Sequence, residues 1–157
     1  EHDVPVEGED APGEIQVRGP CVFREYWDNP AATAASFSAD GWFRTGDTGI
    51  RERGYYRIMG RSSVDIIKSG GYKLSALEIE TVLLAHPRIE ECAVVGVEDP
   101  EWGQRVAAAL VTAGGEEIDL ETLRAWAKER LTAPMVPAMI TVVDSLGTSS
   151  TGKAERR

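Results

Sequence analysis

The sequence predicts an α+β chain: a strand-rich stretch over residues 1–60, then a small lobe of sheet and helices over residues 61–157. Two textures predict it. Residues 14–59 hold short strand-like runs and one brief helical segment, whereas residues 75–143 alternate capped, periodic helices with apolar strand runs. The third observation is Gly60, which stands between the two textures as the best internal boundary. The 157 residues, 42% of them apolar, can build one ordinary core or two very small ones.

Residues 1–13 are acidic, rich in Pro and Gly, and read as loop. In Glu14-Ile15-Gln16-Val17-Arg18, apolar and polar residues alternate as in a half-buried strand, and Gly19-Pro20 stops it. Asn29 caps a short helix from Ala31 to about Phe37, with Pro30 in its first turn. Trp42 to Thr45 reads as a short strand running into a Gly46-Asp47 turn, and Tyr55 to Met59 as another strand. Few helices are available to cover these strands, so their aromatics need partners from elsewhere.

Val64 to Ile67 and Tyr72 to Leu74 form a hairpin around Ser69-Gly70-Gly71. Ser75 and Glu78 make a capping box for a helix whose apolar face is Ile79, Val82 and Leu83, ended by His86-Pro87. Cys92 to Val97 and Arg105 to Thr112 are strands separated by an ordered loop, Asp99 to Gln104. Asp119 caps a helix from Leu120 to about Leu131, with Leu123, Trp126, Ala127 and Leu131 on one stripe. Met139 to Val143 is the last strand. Helices on a small sheet make a compact lobe of this second part.

The 17 basic and 26 acidic residues leave a net charge of −9, which speaks against nucleic acid or an anionic membrane as partner. No run approaches the roughly 20 apolar residues that span a bilayer. The first residues, Glu1-His2-Asp3-Val4-Pro5, carry neither the methionine of a start nor the features of a secretory signal. The expectation is a piece of a longer, cytoplasmic protein, with a mitochondrial location of the parent left open. Cys21 and Cys92 lie far apart and read as reduced thiols; His2 and His86 have no companions at metal spacing, so no metal site is expected in the chain.

An acid and two bases stand beside glycines: Asp47 after Gly46, Arg61 after Gly60 and Lys153 after Gly152. A carboxylate accepts hydrogen bonds from both hydroxyls of a ribose, and a guanidinium offers a rigid fork to ribose or phosphate oxygens. On the residues alone, Asp47 reads first as a turn aspartate satisfying local amides, and Arg61 as a solvated strand end. Lys68 and Lys73, on either side of Gly70-Gly71, read alone as exposed hairpin lysines. Glu78 and Glu80 resemble an acid–base pair, but the cap explains Glu78, and Glu80 reads as structural. Gly147 to Lys153 fits the first seven positions of a P-loop, yet Ala154 stands where Ser or Thr belongs, and too few residues follow for the completing helix.

Gly-Trp-Phe-x-Thr-Gly-Asp at 41–47, Gly60-Arg61, Asp65 to Lys73, Glu78-Ile79-Glu80 and Gly152-Lys153 fall in one order over essentially the whole chain. In that order they resemble the C-terminal third of AMP-forming acyl-CoA synthetases, within the adenylate-forming superfamily. Ser63 to Lys73, with Leu84-Ala85-His86-Pro87, looks most like the malonyl-CoA synthetase branch. The resemblance implies that residues 1–60 are the distal end of a large N-terminal domain and residues 61–157 a mobile C-terminal lobe. It implies a ligase that activates a carboxylic acid, malonate favoured, as acyl-AMP and passes it to CoA. ATP and CoA are the implied co-substrates, with Mg2+ bound mainly by the N-terminal part, whose remainder is the implied protein partner.

The resemblance also implies roles. Asp47 would hold the ribose hydroxyls and Arg61 would touch the nucleotide. Lys153 would reach the α-phosphate and carboxylate during adenylation. Lys68 would assist thioester formation, Gly70 and Gly71 would let the backbone approach the pantetheine channel, and Lys73 would meet a CoA phosphate. Two residues depart from the pattern: Ser63 stands at the hinge position usually held by Asp or Lys, and Gly147 replaces the proline that starts the lysine loop. The isolated chain is expected to be inactive. The rival readings are a non-catalytic or carrier-protein-binding domain of the same fold, and a peptide-synthetase adenylation fragment. An intact triphosphate loop upstream would separate the first of them from the ligase.

Overall fold

The computed structural model describes residues 4–147, which divide into two compact units, one ending at Ser63 and the other beginning at Val64. The first unit contains β1 (Gly13–Val17), α1 (Pro30–Ser36), β2 (Phe43–Glu52) and β3 (Tyr55–Arg61). Its strands form an antiparallel sheet in the order β1-β2-β3. Asn29 caps α1 as its sequence predicts, accepting the Ala32 N–H at 3.0 Å.

Strand β2 differs from the expected short run with a turn at Gly46-Asp47. It continues to Glu52, and the reversal falls at Arg53-Gly54, both with positive φ. The physical reason is that Gly46 uses its positive φ of 74° to bulge the strand rather than to turn it. Gly60 and Arg61 likewise lie within β3. Phe23 packs edge-on against Tyr26, Phe37 and Phe43, with centroids 4.8–5.7 Å apart. Trp27 is 95% exposed, Tyr55 80% and Tyr56 76%, so β3 and the loop before α1 present apolar surface beyond what this unit covers.

The second unit contains β4 (Ile66–Ser69), β5 (Tyr72–Ser75), α2 (Ala76–Leu83), β6 (Ile89–Asp99), β7 (Gly103–Thr112), α3 (Leu120–Lys128) and β8 (Met139–Val142). Strand β7 is shared. It pairs antiparallel with β6 along its whole length. It also meets β4 at Gly103 and runs parallel with β8 over Ala107–Leu110. Strand β6 is longer than its apolar centre announced, because Glu98 and Asp99 continue the ladder with polar side chains.

Ser75 accepts the Glu78 N–H at 3.2 Å and starts α2. Ile79 and Leu83 of α2 are fully buried with Val94, Leu110, Leu123 and Ala127 in one core. Glu80 is buried too, and its Oε1 accepts the Val94 N–H at 2.7 Å, pinning α2 to β6. A buried carboxylate held this way is structural, as the sequence indicates. Helix α3 stops at Lys128, short of the expected Leu131, although the Leu131 N–H still donates to the Ala127 carbonyl at 2.8 Å.

Two stability predictions follow from this packing. Leu83→Ala should destabilise the second unit by about 3 kcal/mol, since its side chain is fully enclosed; denaturant melts of the wild type and the variant measure it. His86 is buried beside Trp126, centroids 5.0 Å apart, and its Nδ1 accepts the Arg88 N–H at 3.3 Å. Burial first, then the charges of Arg88 and Arg130, push its pKa below the ordinary 6.5. The unfolded chain therefore takes up the proton first, so the stabilising contribution is complete above 6.5 and is lost as pH falls towards the lower folded value. Melts at about pH 7.5 and about pH 5.5 should show a drop that His86→Phe reduces.

Candidate functional site

Asp47 and Arg61 are directly opposite each other on β2 and β3. The register of β1 against β2 shifts between Glu14 and Gln16, and that of β2 against β3 shifts next to Thr48. Asp47 thus lies within the β1–β2 irregularity, just after Gly46, and Arg61 lies just past the β2–β3 one, after Gly60 (φ 129°). Bulges of this kind re-aim side chains. The Arg61 Nε lies 3.0 Å from Asp47 Oδ1, and the Arg61 Nη1 donates to the Thr45 carbonyl at 3.3 Å.

Thr45 ties the arrangement together. Its Oγ1 accepts the Asp47 N–H at 3.1 Å and donates to the Ile15 carbonyl at 2.6 Å. The Gly46 N–H donates to Glu14 Oε1 at 3.2 Å. The Ser62 N–H donates to the Gly46 carbonyl at 2.9 Å, and the Thr48 and Ser62 hydroxyls are 2.7 Å apart. These contacts fix a partly exposed acid–base pair that presents an acceptor and a donor fork side by side. Sequence reasoning named Asp47 and Arg61 separately and did not foresee their pairing, and it missed Thr45, whose role rests on contacts across two strands.

The second cluster is the β4–β5 hairpin. Gly70 and Gly71 have φ of 56° and 84°, the conformation of a two-residue type I′ turn. Lys68 and Lys73 are cross-strand partners on its exposed face, while Ile67, Ser69 and Leu74 face inward. Like charges directly opposite repel. The Gly70 N–H donates to the Trp102 carbonyl at 2.9 Å, and a Cβ on Gly70 would stand 2.9 Å from the Trp102 ring. The absence of a side chain at residue 70 therefore serves the turn and a close approach at once.

The loop against this turn is built by Asp99. Its Oδ1 accepts the Glu101 and Trp102 N–H groups, each at 2.9 Å, and its Oδ2 is 2.7 Å from Arg105 Nε. The Trp102 amide above all, then those of Glu101 and the Arg105 charge, hold its carboxyl below the usual carboxylate range against the opposing effect of burial. Trp102 and Gln104 were legible only as parts of an ordered loop; nothing local in the sequence tied them to Gly70 and Lys68.

The structure thus brings Asp47 together with Arg61 in the first unit, and Lys68, Gly70, Gly71 and Lys73 together in the second. Lys153 lies outside the described residues, as does most of the Gly147–Lys153 segment. A cleft of about 520 Å³ lined by Tyr26, Trp27, Asn29 and Pro30 contains none of the expected site residues. A smaller one of about 250 Å³ adjoins the hairpin through Ser69, Trp102, Arg105 and Arg124. Among the described residues, no three His, Cys, Asp or Glu side chains are grouped to hold a metal, and no helix is long and apolar enough to cross a membrane.

Residues 78–153 match the family described as AMP-binding enzyme C-terminal domain. The chain is 50% identical over 149 residues to the mitochondrial malonate–CoA ligase ACSF3 of Bos taurus, covering 95% of this chain and 25% of the relative. It superposes with a TM-score of 0.85 on the o-succinylbenzoate CoA synthetase MenE of Bacillus subtilis, solved with its acyl-adenylate intermediate. There the identity is 37%, over 99% of this chain and 32% of that one. ATP-bound MatB of Rhodopseudomonas palustris gives a TM-score of 0.79 at 35% identity, over 94% of this chain and 29% of that one. The chain spans about a quarter of the length of the curated relatives it matches. Residues 78–153 thus match an AMP-binding enzyme C-terminal domain, and nearly the whole chain is similar to the CoA ligase and CoA synthetase named above.

Proposed function

We propose that this chain is the C-terminal portion of an ATP-dependent acid:CoA ligase that forms an acyl-AMP intermediate, with malonate as the favoured acid. The observation that carries the reading is the Asp47–Arg61 pair, an acid and a guanidinium 3.0 Å apart, each directly after a glycine of positive φ at an irregularity of the sheet. Such a pair suits a ribose and its phosphate. In the first step a carboxylate oxygen of the acid attacks the α-phosphorus of ATP, and pyrophosphate leaves. In the second the CoA sulfur, losing its proton, attacks the acyl carbon, and AMP leaves.

Asp47 accepts hydrogen bonds from the ribose hydroxyls of ATP and then AMP, and Arg61 donates to the nucleotide. Lys153 places positive charge against the α-phosphate and carboxylate in the first step. Lys68 assists the second step, where Gly70 and Gly71 give the pantetheine chain room, and Lys73 meets a CoA phosphate. The opposed Lys68 and Lys73 support this reading, because an anion relieves their repulsion. Residues 1–60 belong to a large N-terminal domain and residues 61–157 to a lobe that turns about the Arg61–Ser63 segment between steps. The Mg2+ that accompanies ATP would be held mainly by residues of the large N-terminal domain. The compartment is the cytoplasm or the mitochondrion, the latter supported by the bovine relative's name.

Separate assays of the two half-reactions in the full-length ligase test the assignment. Lys153→Ala should slow pyrophosphate release with malonate and Mg-ATP by roughly 10²-fold, and should spare thioester formation from supplied malonyl-AMP. Lys68→Ala should show the reverse bias. Equal losses in both steps for both variants contradict it. Asp47→Asn removes a charged acceptor at nearly constant size, so the KM for ATP should rise by roughly tenfold or more. An unchanged KM removes Asp47 from the ribose.

A further inference from the structure

The edge of β7 that faces β4 is held by a side chain as well as by main chain. Ser69 and Gly103 are partners, and the Gly70 N–H donates to the Trp102 carbonyl at 2.9 Å. Continuing that antiparallel register brings Lys68 opposite Gln104, where a regular ladder offers the Gln104 main-chain carbonyl to the Lys68 amide. At that place the Lys68 N–H donates to Oε1 of the Gln104 side chain, at 2.8 Å. Registered pairing between β4 and β7 ends at Ser69–Gly103. The spacing of the two strands at Lys68 is therefore set by the length of a glutamine side chain.

Gln104 is fixed from its other side as well. Its Nε2 donates to Oε1 of Glu98 at 3.3 Å, and Glu98 is its partner across β6 and β7. That donation orients the amide so that its oxygen meets the Lys68 N–H. Gly96 leaves the space: a Cβ there would stand 2.8 Å from both Cδ and Oε1 of Gln104. Three positions on two strands thus converge on one amide, whose acceptor end meets the main chain of the proposed thioester-step lysine.

We propose that Gln104 is a positioning residue for the thioester-forming step, seating β4 so that Lys68 and the Gly70-Gly71 turn reach their working geometry. This rests on the reading of the β4–β5 hairpin as the element of the second half-reaction. Small misplacement of a reacting group is costly in rate while leaving binding largely intact, so the effect belongs in kcat.

The test uses the full-length ligase with supplied malonyl-AMP and varied CoA. Gln104→Leu keeps the bulk and removes both hydrogen bonds. It should lower kcat for thioester formation about tenfold, with the KM for CoA changed by less than about twofold. Acyl-AMP formation from malonate and Mg-ATP should persist, which also shows that the variant is folded. The double exchange Glu98→Gln with Gln104→Glu keeps an acceptor for the Lys68 N–H and restores a cross-strand donor, and should recover kcat. If Gln104→Leu keeps kcat while Lys68→Ala loses it, the role of Gln104 is overturned and the hairpin reading stands. If both keep it, the hairpin reading itself falls. Equal losses in both half-reactions, or no recovery in the double exchange, also overturn the proposal.

Discussion

The second unit depends on one strand. β7 carries β6 on one edge, and β4 and β8 in succession along the other. Its buried Val106, Ala108, Leu110 and Thr112 alternate with more exposed neighbours. A one-residue slip in β7 exchanges those faces and moves the partners on both edges together. Helix α2 obeys the same constraint indirectly, because Glu80 is bonded to the Val94 amide of β6. The position of the Gly70-Gly71 turn is thus inherited from a ladder more than thirty residues away in sequence.

The two clusters differ in kind. Asp47 and Arg61 neutralise each other across a strand pair, so the site already contains acceptor and donor in fixed places. Lys68 and Lys73 face each other with the same sign, so the hairpin carries an unbalanced charge towards solvent. The first arrangement suits polar hydroxyls that both donate and accept. The second suits an anion. Both are organised by glycines with positive φ, used once for bulges and once for a turn.

Much of this was legible in the sequence wherever the signal was local. The Asn29 and Ser75 caps, the Gly70-Gly71 reversal and the apolar stripe of α3 each depend on residues within a few positions, and each appears where its pattern placed it. Gly46-Asp47 has the composition of a turn, and Gly46 does take positive φ, but the partner strands on both sides hold β2 extended through it. Periodicity could not reveal that. Thr45, Trp102 and Gln104 act across strands, through contacts separated by 30, 32 and 36 residues respectively. No window of sequence contains both ends of such a contact.

Gly96 illustrates what that non-locality means for tolerance to change. It is neither fully buried nor at a positive φ, and by those measures alanine is a mild replacement. Yet the missing methyl group is the space in which the Gln104 amide lies. Variation at residue 96 is therefore tied to variation at residue 104, and a lineage that acquires a larger residue at the first must relocate or shorten the second. A survey that ranked positions by burial alone would pass over both.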